Sequence, residues 1–113
     1  MPQREPRVYL YDIAQAAELL MQFTEGQTLD DYQRDIKLRS AVERQFEIIG
    51  EALSQLARHF PEQAEQISDA PQIISFRNYL IHGYALVNDR LVWNVLTHDL
   101  PLLVEQVRAL LEE

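Results

Sequence analysis

Apolar residues recur every three or four positions along most of the chain, which is the spacing of helices that bury one face. This spacing predicts a first helix between residues 6 and 26, bounded by a proline and a glycine. A second stretch, from 28 to 60, is predicted as one long helix or as two with a break near Gly50. Pro61 ends this stretch, because proline lacks a backbone N–H and its ring crowds the preceding turn.

The second half of the chain continues the helical pattern after a short helical turn. Pro71 favours the start of a further long helix, which either runs through Gly83 or ends there. Asn88 or Asp89 can cap the last helix, and Pro101 inside that helix predicts a kink. No run of alternating β-branched residues occurs, so the sequence predicts an all-α, antiparallel bundle of four to five helices.

Chain length and composition fit such a bundle. The 113 residues lie in the size range of one domain, so we expect residues 1–113 to form a single helical domain. The apolar stripes of the second and last helices are longer than one small bundle needs for its own core. We therefore expect a homodimer formed through a helix face, with a tightly packed monomer as the alternative.

Charge and residue usage restrict the possible functions. The chain has no cysteine, which excludes disulfides, thiolate zinc sites and a cysteine nucleophile. No apolar run could span a bilayer and residues 1–5 do not resemble a signal peptide, so we expect a soluble, cytoplasmic protein with no membrane partner. The net charge of −8 disfavours non-specific coating of nucleic acid, but it is compatible with a small arginine-lined site for RNA.

Candidate chemistry is concentrated between residues 75 and 84. Asn78 and His82 are four residues apart and lie on almost the same face of a helix. The directions of Arg77 and His82 differ by roughly 140°, a gap that the long arginine side chain partly closes. One helix flank thus offers a cation, an amide and an imidazole. The alternative for His82 is a packed, hydrogen-bonded histidine without a catalytic role.

Two motifs resemble those of a known family. The string Arg77-Asn78-x-x-x-His82-x-Tyr84 resembles the Arg-x-x-x-x-His-x-Tyr signature of HepT-like toxins, within the HEPN superfamily of small all-helical ribonucleases. Residues 39–53, which include an Ile-Gly-Glu-Ala step, resemble the long-helix segment of the same family. The resemblance extends over nearly the whole chain.

This resemblance implies a HEPN-like homodimer that brings two Arg–His pairs to a shared cleft and cleaves RNA without a metal or other cofactor. In that reading His82 acts as base or acid, and Arg77 stabilises the charge that grows on the phosphate. Asn78 either orients His82 or donates to a phosphate oxygen.

The resemblance also implies a biological setting, a type II toxin–antitoxin system. The cognate antitoxin of HepT-like toxins resembles a minimal nucleotidyltransferase, which silences the toxin by adding AMP to the motif tyrosine. That residue would here be Tyr84, and an added AMP would place a bulky anion beside the site. The alternative is that Tyr84 packs the helix end or lines the cleft.

Two rival functions rest on other features. Glu43, Glu47 and Glu51 form a ladder that could hold a metal, but a di-iron bundle also needs Glu-x-x-His pairs, which the sequence lacks. We therefore favour a salt-bridged helix face, with Arg39 and Arg44 as partners of Glu43 and Glu47. The stronger rival is a noncatalytic HEPN-like module that binds a nucleotidyltransferase partner or a nucleotide.

Overall fold

The computed structural model describes residues 5–83 and 86–113, and within these ranges the backbone is helical with no strand. The prediction of an all-α fold is therefore confirmed. The helices are α1 (Pro6–Thr24), α2 (Leu29–Arg34), α3 (Ile36–His59), α4 (Pro61–Glu65), α5 (Ala70–Gly83), α6 (Asp89–Asn94) and α7 (Leu100–Leu111), with a π-helical segment (Val95–Asp99) between α6 and α7.

The break in the long second stretch lies at Asp35 and not near Gly50, so the predicted position of the break is wrong. Thr28 starts α2 through a capping box with Asp31. Asp35 has an extended backbone, and its carboxylate accepts a hydrogen bond from the Leu38 N–H at 3.1 Å, which starts α3. Gly50 lies in the interior of the uninterrupted α3.

Helices α6 and α7 are continuous with each other through the π-helical segment, whose turns are wider than those of an α-helix. Asn88 caps α6, because its side-chain oxygen accepts from the Arg90 and Leu91 N–H groups at 2.9 and 3.2 Å. Near Pro101, where the sequence predicts a kink, the structure has the π-helical segment, which ends two residues before the proline. A π turn shifts the backbone hydrogen bonds by one residue, which relieves the crowding between a proline ring and the carbonyl four residues earlier.

Helix α3 is the centre of the fold. Helices α1 and α5 both pack along it, and α7 packs on α1. Phe46 of α3 meets Phe76 of α5 edge to face, with ring centroids 5.1 Å apart. This apolar contact fixes how the helix with the candidate chemistry lies on α3. No helix in the described ranges is long and apolar enough to cross a membrane.

Candidate active site

The candidate site is built where α5 approaches α3 at Gly50. Gly50 is buried, and a Cβ atom at this position would overlap with Cβ and Cγ of Arg77. The absence of a side chain therefore lets the Arg77 stem lie directly on the backbone of α3. This contact leaves the Arg77 side chain only 27% exposed.

Both terminal nitrogens of Arg77 are held by neighbouring side chains. Its Nη2 donates to Oε2 of Glu51 at 2.7 Å, and its Nη1 donates to Oδ1 of Asn78 at 3.0 Å. The other carboxylate oxygen of Glu51 accepts from Nε2 of Gln55 at 3.0 Å. A chain of hydrogen bonds thus connects Gln55, Glu51, Arg77 and Asn78 across the two helices. The Nε of Arg77 is buried and has no hydrogen-bond partner in the described structure.

The other two predicted site residues are exposed on α5. Asn78 and His82 lie one helical turn apart, with His82 in the last turn. Because His82 is exposed, the structure does not place it as a packed core histidine. The amide oxygen of Asn78 accepts from Arg77. The structure therefore joins Arg77 and Asn78 directly, and it places His82 farther along the same helix.

Tyr84, the predicted modification site, lies outside the described residues. The described residues run to Gly83, the end of α5, and resume at Leu86.

The ladder of acids on α3 is only partly paired in the predicted way. Nη1 of Arg44 lies 3.9 Å from Oε1 of Glu47, which is the predicted ion pair. Arg39 instead donates to the Gln33 carbonyl at 2.5 Å, and within residues 5–83 and 86–113 Glu43 forms no ion pair. Arg39 therefore does not form the predicted direct ion pair with Glu43, although its positive charge still lowers the pKa of that carboxyl group. No group of three or more histidine or acidic side chains in the described ranges could hold a metal ion.

Burial changes the acid–base properties of the far end of this ladder. Desolvation raises the pKa of Glu43, and the nearby Glu47 and Asp89 raise it further, against a smaller lowering by Arg39. Desolvation also raises the pKa of the buried Tyr32 hydroxyl, and Glu43 adds to the effect. The charged form of Glu43 is thus disfavoured in the folded protein.

Sequence reasoning missed the roles of Gly50, Glu51 and Gln55 at the site. The Ile-Gly-Glu-Ala step carried a family resemblance, but its connection to Arg77 was not predicted. Glu51 belongs to the same i, i+4, i+8 series as Glu43 and Glu47, so the helical spacing does not distinguish it from them. A glycine inside a strongly periodic helix is the one local signal, because such a glycine usually marks a close approach by another element.

Comparison with known proteins places the chain in a family. The family described as Ribonuclease HepT-like matches residues 13–110, which include Gly50, Arg77 and His82, and the chain therefore belongs to the HepT-like family. This family is part of the HEPN superfamily, and the all-helical fold agrees with that membership.

Full-length relatives agree with this assignment. A protein of Caldanaerobacter subterraneus subsp. tengcongensis, named "Putative RNase TTE0752", is 34% identical over 110 residues, which cover 97% of each chain. "Probable ribonuclease HepT" of Thermococcus cleftensis is 36% identical over 100 residues, which cover 88% of this chain and 90% of the relative. No solved structure matches the chain.

Proposed function

We propose that the protein is a metal-independent endoribonuclease whose reacting groups are Arg77, His82 and Asn78. The observation that carries the proposal is that Glu51 and Asn78 hold the two terminal nitrogens of Arg77. The exposed imidazole of His82 lies farther along the same helix. The ribonuclease names of the relatives and the family membership support the same activity.

The chemistry that these residues can perform is internal transfer at an RNA phosphodiester. The 2′-oxygen of the ribose attacks phosphorus as His82 takes the 2′-hydroxyl proton, the O2′–P bond forms, and the P–O5′ bond breaks. The leaving 5′-oxygen takes up a proton from a second histidine in its protonated, imidazolium form. Arg77 stabilises the negative charge on the phosphate oxygens. The products are a 2′,3′-cyclic phosphate and a 5′-hydroxyl, and DNA is not a substrate because it lacks the nucleophile.

The second imidazole is proposed to be the same histidine in a partner subunit. The chain carries one histidine, His82, on the same helix as Arg77 and Asn78, so we assign the acid and the base of one reaction to two copies. The protein then acts as a homodimer with a shared cleft. Two arginines at that cleft would offset locally the net charge of −8, which otherwise opposes RNA binding.

The direct test is cleavage of labelled RNA by the purified protein in EDTA. We expect wild-type cleavage that survives chelation, and a loss of about 10²–10⁴-fold in His82→Ala, because that is the usual contribution of general acid–base catalysis. Arg77→Ala should also lose activity with the melting temperature largely retained. His98→Ala is the matched control, since His98 is also exposed but bonds locally to Asn94 and Thr97 on a different helical segment.

The outcomes separate the proposal from its rivals. Cleavage that depends on added magnesium, or that persists in His82→Ala, would overturn it. RNA or nucleotide binding without any cleavage would instead favour the noncatalytic binding module.

We also propose that the protein is the toxin of a type II toxin–antitoxin system, neutralised by a minimal nucleotidyltransferase that adds AMP to Tyr84. The reaction would join the tyrosine oxygen to the α-phosphorus of ATP and release pyrophosphate. The position of Tyr84 two residues after His82 supports this idea, because a phosphate there would compete for Arg77. Co-expression with a neighbouring nucleotidyltransferase should add the mass of AMP to the Tyr84 peptide, measured by mass spectrometry. A neutralised complex with unmodified Tyr84 would indicate inhibition by occlusion.

A further inference from the structure

The hydrogen bonds from Arg77 to Glu51 and Asn78 limit how a ligand can reach the guanidinium. A guanidinium carries five N–H hydrogens, one on Nε and two on each terminal nitrogen. The Nε is buried, so a phosphate cannot bind through the Nε edge. Each terminal nitrogen uses one hydrogen for Glu51 or Asn78 and keeps a second. A phosphate must therefore bind to Nη1 or Nη2, whose orientation is set by these two neighbours.

We propose that Glu51 is a positioning residue of the nuclease site, with Gln55 as its support. This inference rests on the proposed function. Glu51 fixes the plane of the Arg77 guanidinium so that the remaining hydrogens face the scissile phosphate, and Gln55 holds the other oxygen of the Glu51 carboxylate. Arginine has a flexible stem, and a charge-assisted bond as short as 2.7 Å restricts it strongly.

The same carboxylate has an opposite effect on binding. Glu51 is 49% exposed, so its negative charge acts on an RNA phosphate that approaches Arg77. Glu51 thus orients the arginine and repels the substrate at the same time. A purely structural ion pair would act through stability instead, and that effect would be small, because exposed ion pairs contribute little to stability and the apolar contact between Phe46 and Phe76 already joins the two helices.

The test is a comparison of Glu51→Ala and Glu51→Gln in full-length protein. The assays are single-turnover cleavage of RNA, binding of the 2′-O-methyl form of that RNA, which cannot react, and thermal melting. In Glu51→Ala we expect the cleavage rate to fall by about 10²-fold, as for misplaced catalytic groups. Binding of the 2′-O-methyl RNA should become several-fold tighter at low salt, with a difference that shrinks at high salt because salt screens exposed charges.

Glu51→Gln separates geometry from charge. The glutamine keeps an oxygen that can accept from Nη2 but has no charge, so we expect cleavage within a few-fold of wild type and the same tighter binding. Gln55→Ala should lower the cleavage rate by less than Glu51→Ala. The control Glu105→Ala removes one exposed acid from α7, and it should change neither cleavage nor melting.

Each outcome decides the inference. A wild-type cleavage rate in Glu51→Ala would overturn the positioning role and leave the proposed nuclease intact. An equal loss in Glu51→Gln and Glu51→Ala, together with a lower melting temperature in both, would show that the pair is structural. Absence of cleavage by the wild type would overturn the proposed function and, with it, this inference.

Discussion

The two ends of the acid ladder on α3 show how one residue type acquires different properties on a single helix. Glu51 forms a 2.7 Å ion pair with Arg77 of α5 and is half exposed. Glu43, eight residues earlier, forms no ion pair in the described part of the chain and is crowded by Glu47 and Asp89. Both acids belong to the same i, i+4, i+8 series on α3. Their different ion pairing and pKa shifts therefore come from the elements that pack against each end of the series.

The end at Glu51 is open to a cation because Gly50 admits the Arg77 stem. At the other end, the buried Tyr32 hydroxyl has no hydrogen-bond partner in the described structure. Burial and neighbouring acids raise the pKa values of both Tyr32 and Glu43. A close helix approach thus pairs the exposed acid Glu51 with a cation, whereas at Glu43 partial burial and neighbouring acids outweigh the smaller effect of Arg39 and leave a destabilised charge.

Gly50→Ala should have the largest effect, because it removes the close approach of Arg77 to α3 beside Glu51. The new Cβ would overlap with Cβ and Cγ of Arg77, so either α5 shifts or the arginine changes rotamer. Overpacking costs about 1–3 kcal/mol, partly offset by the roughly 1 kcal/mol by which alanine favours a helix over glycine. We expect lower thermal stability and a loss of RNA cleavage, measured by melting and by the EDTA assay.

Gly26→Ala is the matched control for that variant. Gly26 has a φ of +74° but open space around the site of a new Cβ, so alanine there strains the backbone without touching Arg77. It should lower stability and leave cleavage by the folded protein unchanged. Wild-type cleavage in Gly50→Ala would contradict the close-approach explanation.

Glu43→Gln should have the smallest effect, because it changes only one partly buried acid at the other end of the ladder. The folded-state pKa of Glu43 is raised, so the stability linked to its protonation is full below the ordinary carboxyl range and is lost as pH rises through the raised pKa. At neutral pH, glutamine removes a disfavoured charge and should raise the melting temperature slightly, by an amount typical of roughly 0.5 kcal/mol.

The pH dependence of that gain identifies its origin. The difference in melting temperature should shrink as the pH is lowered into the ordinary carboxyl range, because the wild-type acid is then protonated too. Glu105→Gln on the exposed face of α7 is the control. A gain that does not change with pH would exclude a buried-charge origin.

Local chemistry made several helix ends predictable from the sequence. Pro61 and Asn88 bound helices as expected, since each acts on backbone groups within a few residues. The break at Asp35 escaped prediction because the apolar spacing continues across it. Ile36 fits that spacing, yet it is 70% exposed as the first residue of a new helix.

The site was predictable only in the part that lies on one helix. Arg77, Asn78 and His82 stand within six residues of one another, and helical geometry places them on one flank. The contact between Glu51 and Arg77 joins residues 26 positions apart, and periodicity carries no information on which ladder acid α5 will meet. That choice depends on how α5 packs on α3, which is a property of the tertiary fold.

The position of Gly50 beneath Arg77 has a consequence for motion. The guanidinium is anchored to the central helix, whereas His82 lies in the last turn of α5, where helices open most readily. Unwinding of that terminal turn would displace the imidazole and leave the arginine where it is. In the proposed mechanism, such a local event would separate phosphate binding by Arg77 from proton transfer by His82 and leave the core of the bundle unchanged.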